Sequence, residues 1–89
     1  MRDDASSLPT FTLMQVRIRA EAESGVLARI LGQFQNCGTL PRRVLAEFAS
    51  NELVHIQIDI AGLSQERMAL IVAKLNELTS IFEARWHCL

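Results

Sequence analysis

The sequence predicts a small α+β domain of the ferredoxin-like class, with the element order β-α-β-β-α-β. Several segments carry apolar residues at every second position, which is the period of a half-buried strand. Two other segments carry apolar residues every three or four positions, which is the period of an amphipathic helix. Two right-handed strand–helix–strand crossovers then place both helices on one face of a four-stranded antiparallel sheet.

The first strand follows a predicted N-terminal tail. The chain has 89 residues, which suffices for one small domain. Residues 1–10 are largely polar and show no period, so they are predicted to be a flexible tail. From Thr12 apolar and polar residues alternate, and the residues predicted to face the core are Met14, Val16, Ile18 and Ala20.

The first helix follows an acidic turn that contains Gly25. Ser24 is expected to cap it, because a hydroxyl can accept a hydrogen bond from the first turn. Gly38 is expected to end it, and Gly32 in its interior costs about 1 kcal/mol relative to alanine. The predicted apolar face comprises Val26, Leu27, Ile30, Leu31 and Phe34.

Two strands, a helix and a last strand complete the pattern. The second strand is predicted after Pro41, with Val44, Ala46 and Phe48 on one face, and the third has Val54, Ile56, Ile58 and Ile60 inward. Ser64 is expected to cap the second helix, whose apolar stripe is Met68, Ile71, Val72, Leu75 and Leu78. In the last strand Phe82, Ala84 and Trp86 alternate with Glu83, Arg85 and His87. Phe34, Phe48 and Trp86 are predicted to lie in the core.

Composition excludes several classes of protein. The net charge is −1 and no basic stripe is present, so no nucleic-acid partner is expected. The apolar runs are too short to span a membrane, and the first residues lack the apolar run of a signal peptide, which predicts a cytoplasmic protein. Cys37 and Cys88 are expected to be reduced thiols, since their spacing suggests no metal site.

The sequence contains no combination of residues that indicates catalysis. His55 and His87 lie at outward strand positions, and Ser24 has no base near it in the sequence. Cross-strand ion pairs with Arg17 and Arg19 explain the outward acidic residues, Asp59 and Glu83. No cofactor motif is present, so a non-enzymatic protein without a cofactor is predicted.

The turn before the first helix is the strongest indication of a binding site. In the segment from Glu21 to Phe34 a strand ends, a turn with one glycine follows and a helix begins. Backbone N–H groups in the first turn of a helix can hold a carboxylate. The second strand is also predicted to be an exposed edge, which two copies would cover by pairing edge to edge, so a homodimer is expected.

This segment, followed by Gly38, resembles the ACT domain, a small amino-acid-sensing module. Together with the segments 74–78 and 81–84, it is similar to the regulatory small subunit of acetohydroxyacid synthase (acetolactate synthase). The resemblance covers about residues 11–86 and implies a single ACT domain over residues 11–89. It implies a non-catalytic subunit that activates the thiamine-diphosphate-dependent catalytic subunit in branched-chain amino-acid biosynthesis. An amino-acid effector would bind between two ACT domains, at positions that correspond here to Glu23, Ser24, Gly25, Val26 and Leu27.

Two positions depart from the valine-sensitive members of that family. Ala22 stands where those members have an asparagine, and Leu40-Pro41 stands where they have Asn-Ile. Each missing amide leaves a polar group of the ligand without a partner, which costs about 1–3 kcal/mol. Weak or absent valine binding is therefore expected. The alternative function is a free-standing ACT dimer that senses another amino acid or small molecule.

Overall fold

The computed structural model describes residues 13–89, and the predicted tail at residues 1–10 lies outside this range. The elements follow one another in the predicted order. The strands are β1 (Leu13–Glu21), β2 (Arg43–Phe48), β3 (Leu53–Ala61) and β4 (Ile81–Cys88), and the helices are α1 (Val26–Gln35) and α2 (Gln65–Asn76). The sheet is antiparallel with the order β2-β3-β1-β4, which confirms the ferredoxin-like class and makes β2 and β4 the two edges.

The core lies between the helices and one face of the two central strands. The predicted inward residues of β1 and β3 are all buried, and so are the central residues of both helix stripes: Val26, Ile30, Phe34, Met68, Ile71, Val72 and Leu75. Leu27, Leu31 and Trp86 are partly buried against this cluster. The alternation in β1 and β3 predicted the buried residues correctly, because hydrogen bonding along both edges of a central strand fixes its register and hence the face that each side chain takes.

Two aromatic residues of the edge strands are exposed, and one of them, Phe48, was predicted to lie in the core. Phe48 is 76% exposed, because every residue of the edge strand β2 is exposed in the single chain. Phe82 is 57% exposed, because the register of β1 and β4 shifts between Arg19 and Ala20. This shift pairs Ile81 with Ala20, so Ile81 takes the buried position.

The helix termini agree with the sequence at two of the three predicted positions. The Ser64 hydroxyl caps α2 by accepting from the Arg67 N–H at 3.1 Å. After α1, Gly38 has φ +69, and the Thr39 N–H donates to the Phe34 carbonyl at 3.1 Å, which is the Schellman arrangement. The prediction that Ser24 caps α1 is wrong, since the cap is Gly25 and no side chain bonds there as a cap.

The outer face of the sheet is polar, as predicted. Arg19 and Glu83 form a cross-strand ion pair at 3.3 Å. The carboxylate of Asp59 accepts from the amide of Gln15 at 2.9 Å rather than from Arg17 or Arg19. Cys37 and Cys88 are both free thiols, so no disulfide links the end of α1 to β4.

Gly32 offers a test of helix propensity. A Cβ placed on Gly32 would meet nothing within 4 Å, so close packing does not require glycine here. Gly32→Ala is expected to stabilise the fold by about 0.5–1 kcal/mol, which raises the melting temperature by about 2–8 °C for a domain of this size. Gly38→Ala is the matched control, because its positive φ predicts a lower melting temperature. An unchanged melting temperature in Gly32→Ala would show that the glycine costs this helix nothing.

Candidate functional site

The turn before α1 is closed by the side chain of Glu23. Its carboxylate accepts hydrogen bonds from the Gly25 N–H at 3.3 Å, from Arg29 Nη1 at 2.9 Å and from the Ser80 hydroxyl at 2.5 Å. The Glu23 backbone carbonyl also accepts from the Val26 N–H at 3.2 Å. The chain therefore supplies its own carboxylate to the N-terminus of the helix.

This arrangement, which we term the Glu23 clasp (Glu23, Arg29 and Ser80), ties α1 to the start of β4. Ser80 is buried, and its carbonyl accepts the Glu21 N–H at 2.7 Å, which joins the same position to the end of β1. The Arg29 guanidinium and then the Ser80 hydroxyl lower the pKa of Glu23 from 4.5 to about 2. Glu23 in turn raises the pKa of Arg29. The clasp is thus ionised at any physiological pH.

The pH dependence of stability can test the Glu23 clasp. Because the pKa of Glu23 is lowered in the native state, its stabilisation is complete above about pH 4.5 and is lost as the pH falls toward 2. Glu23→Gln is therefore expected to make the melting temperature fall less steeply than in the parent chain between pH 5 and 2. The effect is modest, since the carboxylate is about one-third exposed and solvent screens it. Parallel curves for the two chains would show that Glu23 is not held in this way.

The five residues predicted to bind an effector, Glu23 to Leu27, are consecutive and form the turn and the start of α1. The N–H groups of Gly25 and Val26 do not point freely out of the fold, because Glu23 accepts from both. Within residues 13–89, the N–H groups of Leu27 and Ala28 have no acceptor. The site is therefore a helix N-terminus with two open amides beside a fixed negative charge.

An apolar groove runs from this turn along α1 and β2. A cavity of about 260 Å³ lies at the end of the groove next to the turn. It is lined by Val26 and Leu27 on the helix and by Ala46 and Phe48 on the strand. Glu23 and Ser24 lie at its rim. A second cavity of about 430 Å³ lies between the end of α1 and the start of β2, and it is lined by Leu31, Gln35, Thr39, Leu40, Pro41 and Val44. The groove can hold apolar groups, and among the described residues that line the two cavities Glu23 alone carries a carboxylate.

The strand beside this groove has a free edge. The Ala49 N–H donates to the Leu53 carbonyl at 2.8 Å. Since bonded and non-bonded pairs alternate along antiparallel strands, the backbone groups of Val44, Ala46 and Phe48 point away from β3. Within the described residues no other element bonds to them.

This architecture is that of a small ferredoxin-like α+β domain, with a turn and helix start beside an open sheet edge. The chain belongs to the ACT-like domain family, whose model matches residues 7–89. ACT domains are generally non-catalytic, commonly dimerise and bind amino-acid effectors. Among curated proteins, no sequence match is found.

Solved structures share the fold at low sequence identity. The ACT domain of GTP pyrophosphokinase from Chlorobium tepidum is 19% identical, with a TM-score of 0.73 over 88% of this chain and 100% of that chain. The C-terminal domain of the MgtC protein from Mycobacterium tuberculosis is 15% identical, with a TM-score of 0.74 over 100% of this chain and 94% of that chain. A homoserine dehydrogenase from Thiobacillus denitrificans is 20% identical, with a TM-score of 0.71 over 92% of this chain and 19% of that chain. At these identities the likeness shows the fold alone.

Neither a metal site nor a membrane span is found in the part of the chain that the structure describes. No group of three or more His, Cys, Asp or Glu side chains in residues 13–89 is placed to hold a metal ion. In the same range, neither helix is long and apolar enough to cross a membrane.

Proposed function

We propose that this protein is a regulatory ACT domain that works as a homodimer, formed by antiparallel pairing of two β2 edges. The observation that carries the proposal is the free backbone edge of β2 beside exposed apolar side chains. Phe48 is 76% exposed and Leu40 is 85% exposed, both along the groove between α1 and β2. Pairing about a two-fold axis would bring each of these residues to the interface twice.

The energetics favour such pairing over a solvated edge. Burying a leucine or phenylalanine side chain contributes about 1.5–3 kcal/mol, and the new backbone hydrogen bonds add about 0.5–1.5 kcal/mol each. A free, unprotected strand edge is also a site for uncontrolled association, which a specific dimer removes. The homodimer thus accounts for the two features that the single chain leaves exposed.

The enzyme that this dimer would regulate is acetohydroxyacid synthase. The support is the likeness of the segment from Glu21 to Phe34, and of residues 74–84, to the regulatory subunit of that enzyme. On this proposal the chain binds the thiamine-diphosphate-dependent catalytic subunit and raises its activity in branched-chain amino-acid biosynthesis. Valine would have little effect, because Glu23 already occupies the Gly25 amide and the two asparagines are replaced by Ala22 and Leu40.

The test is reconstitution with the purified catalytic subunit from the same organism. We expect the two chains to co-sediment and acetolactate formation to rise several-fold on addition of this protein, with or without valine. Pull-down of the tagged chain from its native lysate should recover the same subunit. Absence of a complex and an unchanged rate would reject acetohydroxyacid synthase as the partner, while leaving the homodimer to be judged by sedimentation.

The cavity of about 260 Å³ at the start of the groove favours a second candidate, a free-standing dimer that senses an amino acid. A second copy across β2 would close this cavity, whose lining suits an apolar side chain. A ligand at 100 times its dissociation constant adds about 2.7 kcal/mol to stability, so a panel of amino acids in a thermal-shift assay would reveal it. A shift with one amino acid, together with failure to bind the catalytic subunit, would favour the sensor over the subunit.

A further inference from the structure

The second edge of the sheet, β4, differs from β2 because the outward backbone groups of Ala84, near its middle, are already bonded. The Leu89 N–H donates to the Leu13 carbonyl at 2.8 Å, and alternation along the ladder turns the backbone of Ala84 outward. The side-chain amide of Asn76 hydrogen-bonds to these outward backbone groups of Ala84. Asn76 Oδ1 accepts from the Ala84 N–H at 2.9 Å, and Asn76 Nδ2 donates to the Ala84 carbonyl at 2.9 Å.

We propose that Asn76 selects the edge through which this protein self-associates, by occupying the backbone groups of Ala84 that an incoming strand would need. The amide of asparagine carries the same donor and acceptor as a peptide group. It therefore takes the place of one residue of a neighbouring strand without offering a strand of its own. The identity of the partner as a second copy rests on the proposed homodimer, whereas the protection of β4 does not.

The position of Asn76 explains why this residue can reach the strand. It is the last residue of α2, and its Nδ2 also donates to the Val72 carbonyl at 3.1 Å, in the final turn of the helix. All the hydrogen-bonding capacity of Nδ2 is thus used, which fixes the orientation of the amide. Ala84 is small and buried, so the end of the helix can approach the strand closely.

The two edges therefore differ in their capacity to add a further copy. A sheet with two open edges can add copies at both and grow into an open assembly. With β4 closed at Ala84 and β2 open, addition stops at two copies. Asn76 would then be required for a closed dimer and not only for the stability of the domain.

Four forms of the 89-residue chain test this inference by sedimentation velocity over a range of concentrations: the parent, Ala46→Pro, Asn76→Ala and the double variant. Proline at position 46 removes an outward N–H from β2 without breaking its ladder with β3. We expect a dimer for the parent and a monomer for Ala46→Pro. For Asn76→Ala we expect species larger than the dimer that increase with concentration, and for the double variant a dimer joined through β4.

The outcomes separate the two proposals. A parent that is monomeric rejects the homodimer, yet a gain of association in Asn76→Ala would still support the role of Asn76. A folded double variant that stays monomeric, with Asn76→Ala no larger than the parent, overturns the proposed role of Asn76.

The variant Asn76→Asp keeps an acceptor for the Ala84 N–H but loses both donors, so it should associate less strongly than Asn76→Ala. If circular dichroism shows that both position-76 variants are unfolded, Asn76 serves the fold itself and the inference fails.

Discussion

A chain in which Ala46 is replaced by proline is expected to be a folded monomer. The N–H of Ala46 points away from β3, so proline breaks no bond of the sheet but removes a donor from the free edge. In a two-fold dimer the loss occurs twice. Two missing hydrogen bonds cost about 1–3 kcal/mol, which corresponds to a roughly 5- to 150-fold weaker association before any steric effect of the ring is counted.

The matched control for this variant is Ala46→Val. Valine retains the backbone N–H and suits an extended strand, so its dimer should be at least as stable as that of the parent. Sedimentation velocity measures the association, and circular dichroism establishes that both variants keep the fold. If both variants dimerise equally, the two copies do not meet at β2, and another exposed surface must be responsible.

The buried residues of the central strands could be predicted from the sequence more accurately than those of the edge strands. β1 and β3 are central strands that pair with a neighbour along each edge. Their register is therefore fixed, and the core residues could be assigned from the alternation in the sequence. β2 and β4 are edges, where a neighbour fixes only one side. Phe48 was predicted to lie in the core because it is apolar, but it is exposed in the single chain. On the proposed homodimer, the second copy would cover it. The exposure of Phe82 depends on a register shift, for which the local sequence gives no signal.

The turn and the helix start of the candidate site were predictable from the sequence, but their side-chain contacts were not. That Glu23 through Leu27 bind an effector stays a prediction. The opposite charges of Glu23 and Arg29 could have suggested the ion pair, since they flank a helix start. Ser80 could not have been found, because it lies 57 residues from Glu23 and reaches it only through the sheet topology. For the same reason Asn76 resembled an ordinary residue of the helix end, although the structure bonds it to β4.

These contacts change what the first turn of α1 can bind. An anion that approaches the open N–H groups of Leu27 and Ala28 meets the fixed charge of Glu23 beside them. Two isolated like charges about 4 Å apart repel each other by about 1 kcal/mol in water and about 4 kcal/mol near a protein surface. The Arg29 guanidinium bonded to Glu23 offsets part of this repulsion, but its donors are engaged and do not attract the anion fully. We therefore expect the parent chain to bind free carboxylates very weakly at this turn.

Glu23→Ala is expected to convert the turn into a carboxylate site. The substitution frees the Gly25 N–H, the Arg29 guanidinium and the Ser80 hydroxyl, and it removes the repulsion, so acetate or valine should bind at least about tenfold more tightly. Amide chemical shifts of Gly25, Leu27 and Ala28 during a titration at low salt measure this affinity. Glu21→Ala is the control, because it makes the same change of net charge at an exposed residue next to the turn.

The same titration decides between the two proposed functions. Tight binding of one amino acid by the parent chain, lost on Glu23→Ala, would mean that Glu23 is a ligand of an ammonium group and that the protein is a sensor. Weak binding by the parent and tighter binding by Glu23→Ala would mean that the clasp takes the place of an effector. A dimer in which the Glu23 clasp fills the effector position would bind the proposed catalytic subunit at any valine concentration. This is the behaviour expected of a constitutive activating subunit.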